Sequence, residues 1–436
     1  MQVNLVTVGT PEIDATDSSG SETTTRRPSG RRTVSGLAAV GLAALGAAVA
    51  QSFGRFTFGV LLPAVRDDLG LSNTLAGSLA TVNTGAYLVG TLIVATASSR
   101  FRLLAMMRIG VAVAVAGLLA ASVATGPVML GGALFLMGVG GALTWIPSPV
   151  IAADAMAPER RSFAIGILSS GMGVGVVFSS QLSGFVRSTM GDASWRTVYL
   201  VQGLIGVVVL VAVWMLISHH QDQPSSRAGL GGIDALRRMT GWQPLTGVFV
   251  TFGLLYLLVV AFLTTRLEDD SGWTSSRASL AFALLGVAMI FGGPAFAAVA
   301  GRIGLRLAIA TAFAFWAVAT VAVLPGWFVP TLVSSVVIGV LFTAVPTLFA
   351  LYVVTNTTTD DYGPAFASVT LAFGVAQMVS PQLGGFIADA AGSFTPVFGL
   401  SAALALIGAA IALRLPARTP PPSSLPGSDG ARSSAG

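Results

Sequence analysis

The 436-residue sequence contains no cysteine and no lysine, and only 9% of its residues are charged. A soluble domain carries about 25% charged residues, so this composition excludes an ordinary soluble protein. Without cysteine, the sequence can form neither disulfides nor thiolate metal sites. Without lysine, it cannot form a P-loop nucleotide site, which needs a lysine beside the phosphates.

Long apolar stretches take up most of the sequence, and 54% of its residues are hydrophobic. Stretches of roughly 18 to 25 residues recur, and each is long enough to cross about 30 Å of hydrocarbon as a helix. We count twelve of them, at residues 34–65, 74–98, 109–124, 128–153, 163–186, 197–218, 245–264, 278–300, 307–324, 330–355, 365–388 and 394–415. The sequence therefore predicts an all-α membrane protein with twelve transmembrane helices.

The distribution of the arginines predicts how the chain is oriented. All 23 basic residues are arginines, and the formal net charge is +5. If the N-terminus is cytoplasmic, 17 arginines lie on the cytoplasmic side, five lie outside, and Arg55 alone lies within a span. Such a bias follows the positive-inside rule. We therefore expect a multi-pass protein of the inner (cytoplasmic) membrane with both termini in the cytoplasm, and no nucleic-acid partner is needed to explain the basic charge.

Three hydrophilic segments divide the sequence. Residues 1–33 and 416–436 are rich in Ser, Thr and Pro and cannot bury enough apolar surface to fold, so we expect disordered cytoplasmic tails. Residues 219–244 lie midway along the chain and are predicted to form a cytoplasmic linker. These boundaries define an N-terminal six-helix bundle at residues 34–218 and a C-terminal six-helix bundle at residues 245–415.

An internal repeat supports the division into two halves. RDDLGLS at residues 66–72 is echoed 202 residues later by EDDSGWT at residues 268–274. The same offset relates two further pairs, Gly90 with Gly292 and Arg100 with Arg302. Because scaffold residues should recur in both halves, we interpret these positions as scaffold. Two similar bundles related by an axis along the membrane normal, with a site between them near the midplane, are typical of secondary transporters.

The stretch SFGRFTFGVLLPAVRDDLGLS at residues 52–72, followed by TGAYLVGTL at residues 84–92, resembles the bacterial YbfB/YjiJ-type branch of the major facilitator superfamily. The resemblance to the superfamily covers roughly residues 34–415. It implies the major facilitator fold, in which two pseudo-symmetric six-helix bundles move against each other around a central site.

The superfamily's loop between helices 2 and 3 is present in altered form as ASSRFR, which keeps Arg100 but has serine in place of the family's aspartate. By similarity, Arg100 would pair with Asp154 at the cytoplasmic end of helix 4 and help to lock the outward-facing state, and Arg302 is its counterpart. The alternative is that these arginines only enforce topology. Motifs of the family's proton-linked drug exporters are also interrupted, in helix 4 by Leu134 and in helix 5 by two serines.

Arg55 is the one charge placed deep within a predicted span. It lies 11 residues before Arg66, about 16 Å below the surface at 1.5 Å per residue and near the middle of a 30 Å core. The repeat places Leu257 at the equivalent position, and no Asp or Glu lies at mid-span to pair with Arg55. A guanidinium without such a partner can bind a carboxylate or phosphate in a bidentate manner, so we expect a solute contact here. Alternatively, Arg55 binds the carbonyls of a broken helix or pairs with a structural acid.

Other residues near mid-span are candidates for the same site. Six could complete a substrate cavity: Gln51, Asn83, Tyr87, Trp145, Tyr256 and Gln377. A spacing of four residues puts two pairs on shared helix faces, Gln51 with Arg55 and Asn83 with Tyr87. For each candidate, the alternative is an interhelical hydrogen bond or an aromatic side chain that fills the bundle core.

These observations predict a secondary transporter that moves a small, anionic or carboxylated solute across the cytoplasmic membrane by alternating access. The alternative is a gradient-driven drug or metabolite efflux antiporter with a cavity lined by Phe53, Phe56 and Phe58. No catalytic pair or metal cluster is placed at mid-span, so we expect neither an enzyme nor a cofactor. The expected partners are the solute, the lipid bilayer and a coupling proton or counter-anion, and the protein is expected to be a monomer.

Overall fold

The computed structural model describes the chain over three ranges, residues 36–97, 100–216 and 232–416. The tails predicted at residues 1–33 and 416–436 lie outside these ranges, apart from Pro416, and so does the first half of the predicted linker. Within the described residues, the regular structure is helical and contains no β-strand.

Twelve helices in the described part of the chain are long and apolar enough to cross a membrane. They are α1 (Gly36–Leu69), α2 (Asn73–Ala97), α3 (Leu103–Ser122), α4 (Pro127–Asp154), α5 (Phe163–Met190), α6 (Asp192–Leu216), α7 (Trp242–Val260), α8 (Ser275–Ile303), α9 (Leu305–Val323), α10 (Phe328–Asn356), α11 (Asp361–Ala391) and α12 (Thr395–Ala412). The predicted all-α membrane protein with twelve transmembrane helices is confirmed. Two short helices, Ile233–Arg238 and Leu263–Asp269, precede and follow α7.

The packing of the first six helices is repeated by the second six. In the first set, α2 packs on α4, α3 on α6 and α1 on α5. The equivalent pairs of the second set, α8 with α10, α9 with α12 and α7 with α11, are also in contact. The boundary between the sets is symmetric as well, because α5 packs on α8 and α2 packs on α11. The fold is therefore two pseudo-symmetric six-helix bundles.

The repeated motif forms the same turn in both halves. Gly70 ends α1 with φ of +61°, and its N–H donates to the carbonyl of Arg66. Gly272 follows the short helix after α7 with φ of +65°, and its N–H donates to the carbonyl of Glu268 at 3.1 Å. A left-handed residue at a helix end is usually glycine, because other side chains are strained there. This requirement explains why the glycine recurs.

The other repeated glycines, Gly90 and Gly292, lie where equivalent helices approach closely. A Cβ atom at Gly90 in α2 would lie 2.9 Å from the carbonyl oxygen of Val139 in α4. A Cβ atom at Gly292 in α8 would collide with the carbonyl oxygen of Val340 in α10. Small residues permit such close backbone approach in membrane bundles. The placement of both glycines supports the scaffold role predicted for them.

We expect Gly292→Ala to destabilise the second bundle, because the added methyl group forces α8 away from α10. Overpacking of this kind typically costs about 1–3 kcal/mol. Thermal unfolding of the purified protein in detergent should show a lower melting temperature. Gly301→Ala is the matched control, because a Cβ atom at Gly301, in the same helix, has no neighbour within 4 Å. Equal melting temperatures for the two variants would contradict the close-packing role of Gly292.

Candidate functional site

The middle of α1 is not a regular α-helix. Residues Ala48–Phe56 form a π-helical segment, which carries both Gln51 and Arg55. Segments of this kind are frequent at functional sites, because they disturb the ladder of backbone hydrogen bonds. The apolar periodicity of the sequence gave no sign of this segment.

Polar side chains fasten the π-helical segment to neighbouring helices. The Asn83 side chain in α2 donates to the carbonyl oxygen of Gly54 at 3.1 Å and to that of Leu134 in α4 at 2.9 Å. The Gln51 amide donates to the carbonyl of Gly141 in α4 at 3.3 Å. Asn83 and Gln51, both predicted as substrate contacts, therefore have backbone partners in this structure, which is the alternative considered for them from the sequence.

Arg55 extends from α1 to the second bundle. Its Nη2 atom donates to the Tyr256 hydroxyl in α7 at 2.8 Å and to Gln377 Oε1 in α11 at 2.6 Å. The Tyr256 hydroxyl also donates to Gln377 Oε1. The guanidinium carbon lies 4.8 Å from the centre of the Tyr87 ring, a distance that permits a cation–π interaction. Four of the predicted site residues thus meet at one point between the bundles.

The partners of Arg55 are all uncharged. Among the described residues, no Asp or Glu forms an ion pair with it. Its Nε atom is buried and has no hydrogen-bond partner. A buried donor without an acceptor is costly, so the group is suited to an acceptor that the protein itself does not provide.

Arg55 lines a partly open cavity, where the space not filled by protein atoms, open solvent included, is about 400 Å³. The second bundle contributes Leu257, the repeat counterpart of Arg55, to the lining. Six other residues that line the cavity have apolar side chains: Phe56, Phe58, Ala80, Val260, Ala261 and Pro381.

Two predicted groups of residues lie away from this cavity. Trp145 is half-buried and packs against the main hydrophobic core near the middle of α4. Asp154 lies 4.0 Å from Arg161, and both side chains are about half exposed. Arg100 lies just before α3 and Arg302 at the end of α8. The proposed pairing of Arg100 with Asp154 stays a prediction.

Sequence reasoning missed a set of contacts that joins the two bundles at one end, where the α1–α2 and α7–α8 loops meet. We call this the tied end. Arg66 at the end of α1 forms a bidentate ion pair with Asp269. The Asp389 carboxylate in α11 accepts hydrogen bonds from the backbone N–H groups of Asn73 and Thr74, at 3.0 and 2.7 Å. The acid therefore caps the first turn of α2, where the helix dipole favours negative charge.

The most buried ion pair at the tied end joins Arg187 in α5 to Glu268. Two guanidinium nitrogens of Arg187 donate to the two carboxylate oxygens at 2.8 and 2.7 Å. The side chains are only 1% and 13% exposed. Burial raises the pKa of the Glu268 carboxyl, while the hydrogen bonds from Arg187 act in the opposite direction. One sequence signal could have indicated these pairs, because the repeat places Arg66 and Glu268, of opposite charge, at equivalent positions.

The side-chain hydrogen bonds between the bundles are unevenly distributed. Those made by the described residues lie at the tied end or near the level of Arg55. Two examples near Arg55 are the bond from the Thr264 hydroxyl to the carbonyl of Gly59 and the bond from the Thr81 hydroxyl to the carbonyl of Met378. In the part of the chain that the structure describes, no such bond joins the bundles at the opposite end.

Comparison with solved structures finds the same fold in a bacterial homologue of a lysosomal transporter. A bacterial homologue of the human lysosomal transporter Spinster, in an inward-facing and unoccupied conformation, aligns with a TM-score of 0.70 and 14% sequence identity. The alignment covers 87% of this chain and 95% of that one. An inward-facing and occupied structure of such a homologue gives a TM-score of 0.67 with 16% identity, and covers 86% and 95% of the two chains.

Sequence comparisons agree with the structural likeness. A protein described as a probable actinorhodin transporter, from Streptomyces coelicolor, is 29% identical over 174 residues, which are 40% of this chain but only 30% of that protein. The family model described as "Uncharacterised MFS-type transporter YbfB" matches residues 47–413, most of the chain. With its fold and its central cavity between two bundles, this chain belongs to the YbfB-type family of major facilitator superfamily transporters.

Proposed function

We propose that this transporter carries a small anionic or carboxylated solute and that Arg55 binds the anionic group. One observation carries the proposal: the Arg55 guanidinium lies at a cavity between the bundles, has only uncharged partners, and keeps a buried N–H without an acceptor. A charge at membrane depth is costly and usually marks a substrate pathway. A planar guanidinium fits a carboxylate or phosphate better than it fits a neutral group.

We further propose that transport occurs by alternating access. Arg55 belongs to the first bundle and donates hydrogen bonds to the second, so a solute bound there contacts the two parts that must move relative to each other. The tied end holds the bundles together on one side of the site, and its ion pairs must break when the protein switches. The monomer is the proposed transport unit, since each chain contains both bundles.

The arginine distribution supports a cytoplasmic-membrane location with both termini in the cytoplasm. In that orientation the tied end faces outward. Among the described residues, no Asp, Glu or His lies beside Arg55 to carry a proton. The proposed energy source is therefore a proton that arrives with the solute, or a counter-anion in exchange.

Drug or metabolite efflux is the second candidate function. Two observations favour it: the aromatic and aliphatic cavity wall, and the partial similarity to the probable actinorhodin transporter. A cavity of this kind suits apolar solutes, and efflux would then be driven by a gradient in exchange for an ion.

Reconstitution of the full-length chain into proteoliposomes tests the two candidates. We expect flux of labelled small carboxylates across the vesicle membrane, and no flux of the corresponding neutral amides. Extrusion of a hydrophobic dye, together with indifference to every carboxylate, would instead support the efflux antiporter and contradict the anion carrier. Empty vesicles are the control for passive leak of the protonated acids.

A further inference from the structure

The side chains that line the cavity differ strongly in charge and polarity. Arg55 is its one charged lining residue, and three of its lining residues have polar side chains. The other two, Asn83 and Thr84, already donate their side-chain hydrogen bonds to carbonyl groups of the protein. Asn83 donates to two backbone carbonyls, and the Thr84 hydroxyl donates to the carbonyls of Ala80 and Thr81 at 3.2 and 3.0 Å.

The second bundle contributes only apolar side chains to the lining of the cavity. Leu257, Val260 and Ala261 come from the end of α7, and Pro381 comes from α11. None of these side chains can donate a hydrogen bond to a second anionic group. A charge placed against such a wall loses its hydration without gaining a partner.

We propose that the solute is a monoanion with an apolar body, such as an aliphatic or aromatic monocarboxylate, and that dicarboxylates are rejected. This inference rests on the proposed function, because it assumes that Arg55 binds the anion. The carboxylate occupies the free donors of Arg55, and the apolar body lies between Phe56, Phe58 and the α7 wall. A second carboxylate would point at Leu257 and would have no cation to pair with.

Leu257 is thereby the residue that sets the number of charges. It is the counterpart of Arg55 in the internal repeat, and the two side chains line the same cavity from opposite bundles. An arginine at this position would give the cavity two guanidinium groups, one from each half. Such a cavity would match a solute that carries an anionic group at each end.

The test is competition for labelled hexanoate bound to the purified full-length protein in detergent. The competitors are hexanoate, hexanamide and adipate, which has the chain length of hexanoate and a second carboxylate. We expect adipate to compete more weakly than hexanoate by a factor of about ten or more, and hexanamide not to compete. Benzoate, benzamide and terephthalate form a second set for an aromatic body.

The variant Leu257→Arg should reverse the preference, so that adipate gains a factor of about ten relative to hexanoate. The neutral variant Leu257→Gln is the matched control and should keep the wild-type order. If Leu257→Arg does not fold, Thr84→Arg, on the α2 side of the same cavity, makes the equivalent test.

The outcomes distinguish a failure of the monoanion inference from a failure of the proposed function. Equal competition by the monoanion and the dianion in the wild-type protein would overturn the monoanion inference and leave the anion site intact. Competition by the amide as strong as that by the acid would contradict the proposed function itself. Absence of saturable binding of both hexanoate and benzoate would overturn the inference.

Discussion

Arg55→Leu should weaken carboxylate binding by a factor of about 100 or more and abolish transport. The substitution removes the one cation of the cavity, and losing one partner of a buried charge pair costs about 2–5 kcal/mol, where about 1.4 kcal/mol is tenfold in affinity. Equilibrium binding and proteoliposome flux measure the two effects separately. Arg277→Leu is the control, because Arg277 is an exposed arginine at the start of α8.

Arg55→Lys should recover only part of the affinity. The Arg55 side chain bonds to Tyr256 and Gln377 through one nitrogen and keeps other N–H groups for the solute. A lysine ammonium is a point charge without this planar fork, so it cannot satisfy the protein partners and a carboxylate in the same geometry. Full activity of the leucine variant would remove the basis for an anion site at Arg55.

Arg187→Gln should loosen the tied end. The substitution leaves Glu268 buried without its cation, and breaking a buried ion pair in this way costs about 3–5 kcal/mol. Because Arg187 and Glu268 belong to different bundles, the cost falls on the state in which the tied end is closed. We expect the population with a separated tied end to increase.

Distances between spin labels can measure this shift. The natural chain has no cysteine, so labels can be attached at Ala193→Cys in the first bundle and Thr395→Cys in the second without removing native thiols. Arg187→Gln should add a longer distance, and the double variant Arg187→Gln with Glu268→Gln should show a smaller change, because no unpaired charge remains. An unchanged distance distribution in the single variant would refute a gating role for this pair.

Arg196→Gln is a suitable control for the spin-label measurement. Arg196 pairs with Asp68 at 2.7 Å at the same end of the molecule, but both residues belong to the first bundle. The pair is also more exposed, and exposed pairs contribute little, about 0–1 kcal/mol. Its removal should leave the distance between the labelled bundles as it is in the wild-type protein.

The twelve helices could be predicted from the sequence because lipid leaves a chain few options. Each backbone polar group in hydrocarbon must be bonded within its own segment, so apolar stretches of sufficient length form helices. The sequence also showed that Gly70 recurs at Gly272, and the structure explains this recurrence, since a left-handed helix end tolerates few other residues. Arg55 could be singled out from the sequence by its depth in the span and by the lack of an Asp or Glu at mid-span, because burial of an unpaired charge is expensive.

Other features of the site could not be predicted from the sequence. Tyr256 and Gln377 were predicted as separate candidates, but their meeting at Arg55 depends on how α7 and α11 pack against α1. Asn83 was predicted as a substrate contact on helical spacing, and the π-helical segment of α1 gives its side chain a backbone carbonyl to bond instead. Periodicity averages over several turns and therefore does not detect a local change of helix type.

The sequence by itself determined the membrane-spanning architecture, the two related halves and the one deep charge, because transfer into lipid imposes strong and local conditions on each segment. The tertiary structure alone decided which groups satisfy that charge, which face of the cavity is apolar, and where ion pairs join the halves. These features depend on contacts between residues hundreds of positions apart, and the energy of such a contact is set by distance and burial rather than by spacing along the chain.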